Sequence, residues 1–380
     1  GKRNSGKSSL LNAITGQEIA LVSEVKGTTT DPVSKAMEIH PIGPCLLIDT
    51  AGFDDTGDLG NMRIEKTKAV LDKTDVAVVV FSDMQMELET QWIAMLRQRK
   101  IPILAVVNQV DRIEQVQEIK RQIEQRFSLT PLLVSAKEKT GISQMKHEIL
   151  RLMPPDFEAQ SLTGSLVQPE DVVLLVMPQD KQAPKGRLIL PQVQTIRDLL
   201  DNHCVVMCVT TEQLSTALQA LAKPPKLIIT DSQAFAQVYP LKPAETLLTS
   251  FSILLAAYKG DLSAFVKGAN ALDSLTDDSH VLIAEACTHA PLQEDIGRVK
   301  IPNMLRKKYG EHLQVTVVSG SQFPKDLSEY QLIIHCGACM FNRKHVLTRV
   351  EQAEQQGVPI TNYGVVLAKL TGILDRISMQ

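Results

Sequence analysis

The first eight residues, Gly1-Lys-Arg-Asn-Ser-Gly-Lys7-Ser8, constrain the fold more than any other segment of the chain. Their spacing, G-x-x-x-x-G-K-[ST], is typical of a loop whose backbone amides surround phosphate groups. Lys7 then reaches the β- and γ-phosphates, and the Ser8 hydroxyl binds Mg²⁺. The apolar spacing of the next segment, SLLNAITG, predicts the helix whose N-terminus faces the anion. We therefore expect a parallel α/β sheet of a nucleotide-binding type.

Two motifs further along supply the rest of a metal and γ-phosphate site. Asp49-Thr-Ala-Gly52 directly follows the apolar run CLLI. The Asp49 carboxylate can therefore bind Mg²⁺ through water, and the Gly52 amide can contact the γ-phosphate. Gly27-Thr-Thr29-Thr-Asp31 lies between the two motifs in a polar loop, where the Thr29 hydroxyl is expected to complete the Mg²⁺ shell.

Asn108-Gln-Val-Asp111, after the apolar run ILAVV, predicts which base is bound. A carboxylate at Asp111 pairs with the ring N–H and exocyclic amine of guanine, a donor pattern that adenine lacks. Ser135-Ala-Lys137, after PLLV, fits the last loop around the base. The residues expected to contact GTP are Gly1, Asn4, Ser5, Gly6, Lys7, Ser8, Ser9, Thr28, Thr29, Asp49, Gly52, Asn108, Asp111, Ser135, Ala136 and Lys137, with Lys7, Thr29, Asp49 and Gly52 as the catalytic candidates.

Short β-branched runs alternate with amphipathic segments along the chain, which is the pattern of repeated βαβ units. With 380 residues, 44% of them hydrophobic, the chain is long enough for three cores. We expect three α/β domains: a P-loop GTPase fold at 1–157, a linker at 158–169, and two smaller parallel-sheet domains at 170–262 and 263–380.

Three expectations concern single elements of these domains. CLLIDT (45–50) is interpreted as a buried parallel strand, and Ala244–Tyr258 as a helix. The strand that normally leads into a phosphate loop is missing from this chain, so we expect the first sheet to lack its central strand.

Composition excludes several classes of protein. Lys+Arg 40 and Asp+Glu 43 give a net charge of −3, and aromatic residues make up 4%, so neither a basic field nor a stacking platform indicates nucleic acid. No apolar run reaches the roughly 18 residues of a membrane span, and no signal peptide precedes the first motif. Six cysteines are too few for a secreted disulfide framework. We therefore expect a reduced cytoplasmic protein with no nucleic-acid and no membrane partner.

Cysteine and histidine cluster at the ends of two apolar runs in the last third of the chain. Cys287-Thr-His289 ends HVLIAEA, and His335-Cys336-Gly-Ala-Cys339 ends QLII. Both clusters fall at the carboxyl ends of predicted parallel strands, the usual position of ligand sites in open α/β sheets. Three cysteines and one histidine would form a closed zinc site, whereas three thiolates with an exchangeable fourth ligand suit a [4Fe–4S] cluster. A redox C-x-x-C pair is a third interpretation, and spacing alone does not choose among them.

The other cysteines and most other histidines show no such pattern. Cys45, Cys204 and Cys208 lie within apolar runs and are interpreted as buried small hydrophobic residues. Five histidines without partner spacing are expected at the surface: His40, His147, His280, His312 and His345.

About residues 1–155 resemble the TrmE–Era branch of GTPases, on the segments NSGKSSLLN, GTTTD and DTAG. In that branch an asparagine in the phosphate loop accompanies dependence on a monovalent cation. That residue is Asn4 here, so the resemblance implies a K⁺ site. Two positions depart from GTPase patterns. Phe53 stands where Ras-like proteins carry a water-orienting glutamine, which predicts slow hydrolysis, and Gln109 replaces the usual lysine of N-K-x-D.

Over its whole length the chain resembles the HydF family of [FeFe]-hydrogenase maturation GTPases, on EACTHAPLQEDIGRVKIP (285–302) and IIHCGACMFNR (333–343). The resemblance implies a [4Fe–4S] cluster held by Cys287, Cys336 and Cys339, with His289 or His335 as the candidate fourth ligand. It also implies a homodimer formed through the middle domain. It further implies a scaffold that receives a two-iron precursor made with the radical-SAM maturases HydE and HydG and passes it to apo-[FeFe]-hydrogenase.

Two other functions remain open at the level of sequence. A tRNA- or ribosome-associated GTPase with a structural zinc domain would need a basic surface patch, but the basic residues near the C-terminus are scattered. A non-catalytic GTP-binding module that regulates a redox partner would bind GTP without hydrolysing it.

Overall fold

The structure is a computed structural model, and it describes residues 1–2, 4–16, 33–40, 42–50, 67–68, 70–153, 161–178, 188–285, 295–320, 322–339 and 341–379. The chain forms two compact units, Gly1–Glu158 and Ala159–Gln380. Within the described ranges, no helix is both long and apolar enough to cross a membrane.

The strands of the first unit form two sheets. Strands β1 (Val33–Ile39) and β2 (Gly43–Asp49) pair antiparallel. Strands β3 (Ala77–Phe81), β4 (Ile103–Val107) and β5 (Leu132–Leu133) form a parallel sheet in that order. Among the described residues these two sheets are separate, and the expectation that the first sheet lacks its central strand stays a prediction. The interpretation of CLLIDT as a buried parallel strand is wrong for the described residues, because β2 pairs only with β1 and exposes Leu46.

Helices cover both faces of the β3–β5 sheet. They are α1 (Lys7–Thr15), α2 (Glu87–Gln98), α3 (Val116–Phe127) and α4 (Ile142–Leu152). Successive strand residues point to opposite faces, so Val79 and Phe81 pack with α2 and α3, whereas Val80 packs with α1 and α4. The sheet therefore carries the nucleotide motifs on a rigid, two-sided core.

The first sheet of the second unit has the order β7-β6-β8-β9, with all strands parallel. The strands are β6 (Val172–Val176), β7 (Val205–Val209), β8 (Leu227–Thr230) and β9 (Leu247–Ser250), and the helices are α5 (Leu190–Asp201), α6 (Leu214–Ala220), α7 (Phe235–Val238) and α8 (Phe251–Lys259). The predicted helix over 244–258 is wrong in its first part. Strand β9 occupies Leu247–Ser250, and Ser250 then caps α8 by accepting a hydrogen bond from the Ile253 amide.

The second sheet of this unit repeats the same topology, β11-β10-β12-β13, again all parallel. The strands are β10 (His280–Glu285), β11 (Gln314–Ser319), β12 (Leu332–His335) and β13 (Ile360–Asn362), and the helices are α9 (Leu262–Ala269), α10 (Ile301–Tyr309), α11 (Arg343–Gln355) and α12 (Tyr363–Leu370). Helix α9 crosses β13 so closely that a side chain at Gly268 would clash with the Ile360 carbonyl.

One hydrophobic core joins the two sheets of the second unit. It contains Phe235 and Ile253 from the first sheet's segment together with Ile283 and Val366 from the second. Helix α8 packs against both α11 and α12. The α/β fold class with several parallel sheets is thus confirmed. The C-terminal sheet lies directly on the helices of the sheet before it.

Candidate nucleotide site and candidate metal centre

The phosphate loop has the backbone geometry that its glycine spacing predicts. Asn4 and Gly6 both have left-handed backbone angles, with φ of 62° and 80°. A side chain at Gly6 would clash with the Asn108 amide nitrogen, so only glycine fits there. Asparagine is one of the few other residues that tolerate this conformation, which explains how Asn4 can occupy the preceding bend.

Lys7 lies inside the curve of this loop. Its ammonium donates hydrogen bonds to the carbonyls of Gly1 at 3.1 Å and Lys2 at 2.6 Å. The loop therefore wraps around a fixed positive charge, which suits the terminal phosphates of a nucleotide.

The two predicted magnesium residues that the structure describes lie together. The Ser8 hydroxyl donates a hydrogen bond to the Asp49 carboxylate at 3.2 Å. Burial raises the pKa of Asp49, and the Ser8 hydrogen bond and the Lys7 charge oppose that shift. A divalent cation at this oxygen pair would stabilise the ionised carboxylate. Thr28, Thr29 and Gly52 lie outside the described residues, so their predicted roles stay predictions.

Asn108 connects the phosphate loop to the base-binding loop. Its amide nitrogen donates to the Ser5 carbonyl at 3.0 Å, and its side-chain oxygen accepts from the Ala136 amide at 3.2 Å. Gln109, the replacement for lysine, donates from its side-chain amide to the Asn4 carbonyl at 3.1 Å. The motif spacing alone did not show that Gln109 holds the phosphate loop.

Asp111 has the charge that guanine recognition needs. It accepts a hydrogen bond from the Ser135 hydroxyl at 2.6 Å, and this bond lowers the pKa of the exposed Asp111 carboxyl. Asp111 is therefore an ionised acceptor at neutral pH. Lys137 is exposed beside Glu138.

The C-x-x-C motif lies at the topological switch point of the C-terminal sheet. Strands β10 and β12 are neighbours, with Ala284 opposite His335, while β11 lies on the other side of β10. The Cys336 amide donates to the Ala284 carbonyl at 3.0 Å. Connections that leave neighbouring strands in opposite directions open a crevice at their carboxyl ends. Cys287 and His289, which follow β10 in sequence, lie outside the described residues.

The loop that carries both cysteines suits thiolate ligands. Cys336 and Cys339 are partly exposed, and the Ala338 amide donates to the Cys336 sulfur at 3.4 Å. Ala338 has φ of 48°, which turns the chain between them. Two thiols on a tight turn fit a zinc or iron–sulfur site. Among the described residues alone, no group of three or more metal-binding side chains is present.

Lys259 holds this loop in place from the end of α8. Its ammonium donates to three loop carbonyls, those of Ala338 at 3.1 Å, Cys339 at 2.8 Å and Phe341 at 2.9 Å. In return, Arg343 donates to the Tyr258 carbonyl at 2.7 Å. Sequence reasoning missed Lys259, because it lies about eighty residues before the loop it supports.

His335 is fully buried and has both ring nitrogens engaged. Arg349 donates to Nε2 at 2.9 Å, so Nδ1 carries the proton that is donated to the Cys336 carbonyl at 2.7 Å. Burial, followed by the Arg349 charge, lowers the pKa of His335 to about 3, so the ring is neutral. In this arrangement His335 supports Cys336 through the backbone, and its role as a fourth ligand stays a prediction.

Two expectations about other residues are wrong. His345 was expected at the surface but is buried, with its ring 4.2 Å from that of Phe341. Cys208 was interpreted as buried but is exposed, because its strand β7 lies at the edge of the sheet. Cys204 is buried, as predicted.

Comparisons with known protein families match three segments of the chain. Residues 263–379 match the hydrogen maturase F tetramerization domain, and residues 162–260 match the hydrogen maturase F dimerization domain. Residues 1–109 match the 50S ribosome-binding GTPase model. The two maturase domains together span more than half of the chain.

Individual relatives are GTPases that match less than half of this chain. The tRNA modification GTPase MnmE of Flavobacterium johnsoniae is 32% identical over 182 residues, which is 46% of this chain and 37% of that protein. GTPase Der of Wolinella succinogenes is 33% identical over 166 residues, 40% of this chain and 34% of that protein. The chain thus spans about a third of the length of these relatives. A solved structure, a probable GTP-binding protein EngB, is 20% identical with a TM-score of 0.34 over 40% of this chain and 94% of its own.

The maturase models cover both sheets of the second unit, and the match to the GTPase model falls on the unit that carries the phosphate loop. The chain belongs to the hydrogen maturase F (HydF) family.

Proposed function

We propose that this protein is a GTP-hydrolysing scaffold that assembles the two-iron subcluster of the H-cluster and delivers it to apo-[FeFe]-hydrogenase. The observation that carries the proposal is the C-x-x-C loop at the switch point of the HydF-type C-terminal sheet, on the same chain as a phosphate loop. The radical-SAM maturases HydE and HydG are the proposed sources of the precursor, which is the cargo of the scaffold.

GTP binding and hydrolysis use the first unit. Lys7 would bind the terminal phosphates, Ser8 and Asp49 would hold Mg²⁺, and the ionised Asp111 would select guanine. We propose that hydrolysis is slow because Phe53 cannot orient water, and that K⁺ bound near Asn4 offsets charge in the transition state. Loss of the γ-phosphate would then change how the protein docks with its partners.

Cys336 and Cys339, with Cys287, would hold a [4Fe–4S] cluster. Such a cluster, bound by three thiolates, supplies one iron with an exchangeable position to which a precursor can attach. The protein's own part is to keep the two thiols on a fixed turn, which Lys259 and the Ala338 amide do. A location in the reducing cytoplasm belongs to the same proposal, because these thiols must stay unoxidised.

We propose that the homodimer forms through the middle sheet. Its edge strand β7 exposes 56% of Val205, and the neighbouring helix α5 exposes 54% of Leu200. An apolar edge strand is a template for pairing with a second copy. The family match to a dimerization domain over residues 162–260 supports this assignment.

The cluster is tested by anaerobic reconstitution with iron and sulfide, followed by absorbance and low-temperature EPR spectroscopy. We expect a broad charge-transfer band and a reduced-cluster signal that are lost in Cys287→Ala, Cys336→Ala and Cys339→Ala. Cys208→Ala is the matched control, because it removes an exposed thiol on another sheet. A colourless protein with one zinc per chain would contradict the proposal and favour a tRNA- or ribosome-associated GTPase with a structural zinc domain.

A further inference from the structure

Arg349 is a buried cation without a described counter-ion. It lies on α11 and is 3% exposed. Its guanidinium donates to His335 Nε2 and to the Gly320 carbonyl, and it stacks over the Phe323 ring at 4.9 Å. Within the described residues, no carboxylate lies at ion-pair distance, and the Arg349 Nε has no hydrogen-bond partner.

A charge in this environment is expensive unless an anion compensates it. Every described contact of Arg349 is neutral. His335 Nε2 accepts the guanidinium's hydrogen bond and so carries no proton, and the other contacts are a carbonyl and aromatic rings. An arginine guanidinium keeps its proton at neutral pH even when it is buried, so the side chain is charged. The fold therefore keeps a buried positive charge whose free energy a nearby anion would lower.

The group that can compensate this positive charge is at Cys336. Arg349 contacts His335, which in turn donates to the Cys336 carbonyl, so the guanidinium lies behind the first cysteine of the C-x-x-C loop. A thiolate ligand, and the anionic centre that thiolates bind, would provide the missing counter-charge.

We propose that Arg349 is a positioning residue whose fixed charge balances the anionic centre at Cys336 and raises that centre's reduction potential. This inference rests on the proposed function, because it needs a cluster bound at these thiols. Net charge and polar contacts around a cluster set its potential, and a nearby cation favours the more negative reduced state.

The test compares the midpoint potentials of reconstituted wild type, Arg349→Gln and Arg349→Lys in redox titrations followed by EPR. We expect a more negative midpoint in R349Q and a nearly unchanged one in R349K, which keeps the charge. Lys325→Gln is the control, because it removes an exposed cation from the same domain and should leave the potential unchanged. Cluster loading should also raise the unfolding temperature more in wild type than in R349Q.

Equal potentials in wild type and R349Q, both with full iron content, would overturn the inference and leave the cluster assignment standing. A wild-type protein that binds no cluster overturns both. If R349Q does not fold, the midpoint potential of R349K provides the test. An unchanged potential supports the charge balance, and a potential shifted to more negative values at full iron content contradicts it.

Discussion

Gln109 shows how a departure from a motif can be compensated by a local contact. Lysine at this position normally covers the base, whereas Gln109 donates a hydrogen bond to the Asn4 carbonyl in the phosphate loop. Its own backbone is left-handed, with φ of 64°, which aims the side chain at that loop. The base motif and the phosphate motif are therefore coupled directly, in addition to the Asn108 contacts.

We expect Gln109→Ala to weaken GTP binding about fivefold, the loss of one hydrogen bond worth about 1 kcal/mol. Equilibrium titration with a fluorescent GTP analogue measures this directly. Gln91→Ala, an exposed position on α2, is the matched control. Unchanged affinity in Q109A would show that the contact does not support the loop.

Lys259 is the residue on which the geometry of the cysteine loop depends most. Lys259→Met would leave three carbonyls of that loop without their donor, at a cost of about 3 kcal/mol in the free energy of unfolding. We expect lower iron content after reconstitution and a lower midpoint of urea unfolding followed by circular dichroism. Lys267→Met on the adjacent helix, where the side chain is exposed, should change neither quantity. Full iron content in K259M would show that the loop holds its shape without Lys259.

At the scale of elements, the sequence predicts those helices, strands and loops that hydrophobic periodicity and motif spacing indicate. Parallel strands, the phosphate loop and the placement of Cys336 at a strand end all follow from local patterns. The boundary between β9 and α8 does not, because apolar residues lie on both sides of Ser250 and no glycine or proline separates the strand from the helix. Arg349 and Lys259 also escape sequence reasoning, since burial of a charge is decided by contacts distant in the chain.

Strand β7 exposes apolar side chains at the edge of the middle sheet, where we propose that the homodimer forms. Val205→Lys places a charge on the apolar edge, and edge charges oppose strand pairing between copies. We expect the dimer to weaken by roughly tenfold or more, equivalent to at least about 1.4 kcal/mol, in analytical ultracentrifugation. Leu46→Lys, which is 51% exposed before substitution but lies in the first unit, serves as the control. A dimer of unchanged strength in V205K would exclude β7 from the interface.

At the scale of the whole molecule, the chain consists of two compact units. The first contains the candidate GTP site, and in the second the cysteine loop contacts helix α8 of the middle sheet through Lys259. Because α8 belongs to the middle domain and its Lys259 holds the loop, changes in that domain can reach the cysteines within a single unit. This arrangement suits a scaffold that must respond to association with other proteins.

The proposed role of the cysteine site is to carry the two-iron cargo to hydrogenase. The direct measurement is hydrogen evolution by apo-[FeFe]-hydrogenase after mixing with this protein, purified anaerobically from cells that also produce HydE and HydG. We predict activation by the wild type and none by Cys336→Ala, although C336A should hydrolyse GTP normally. Activation by C336A equal to that by wild type, or no activation by a wild-type protein that holds its cluster, would contradict the account.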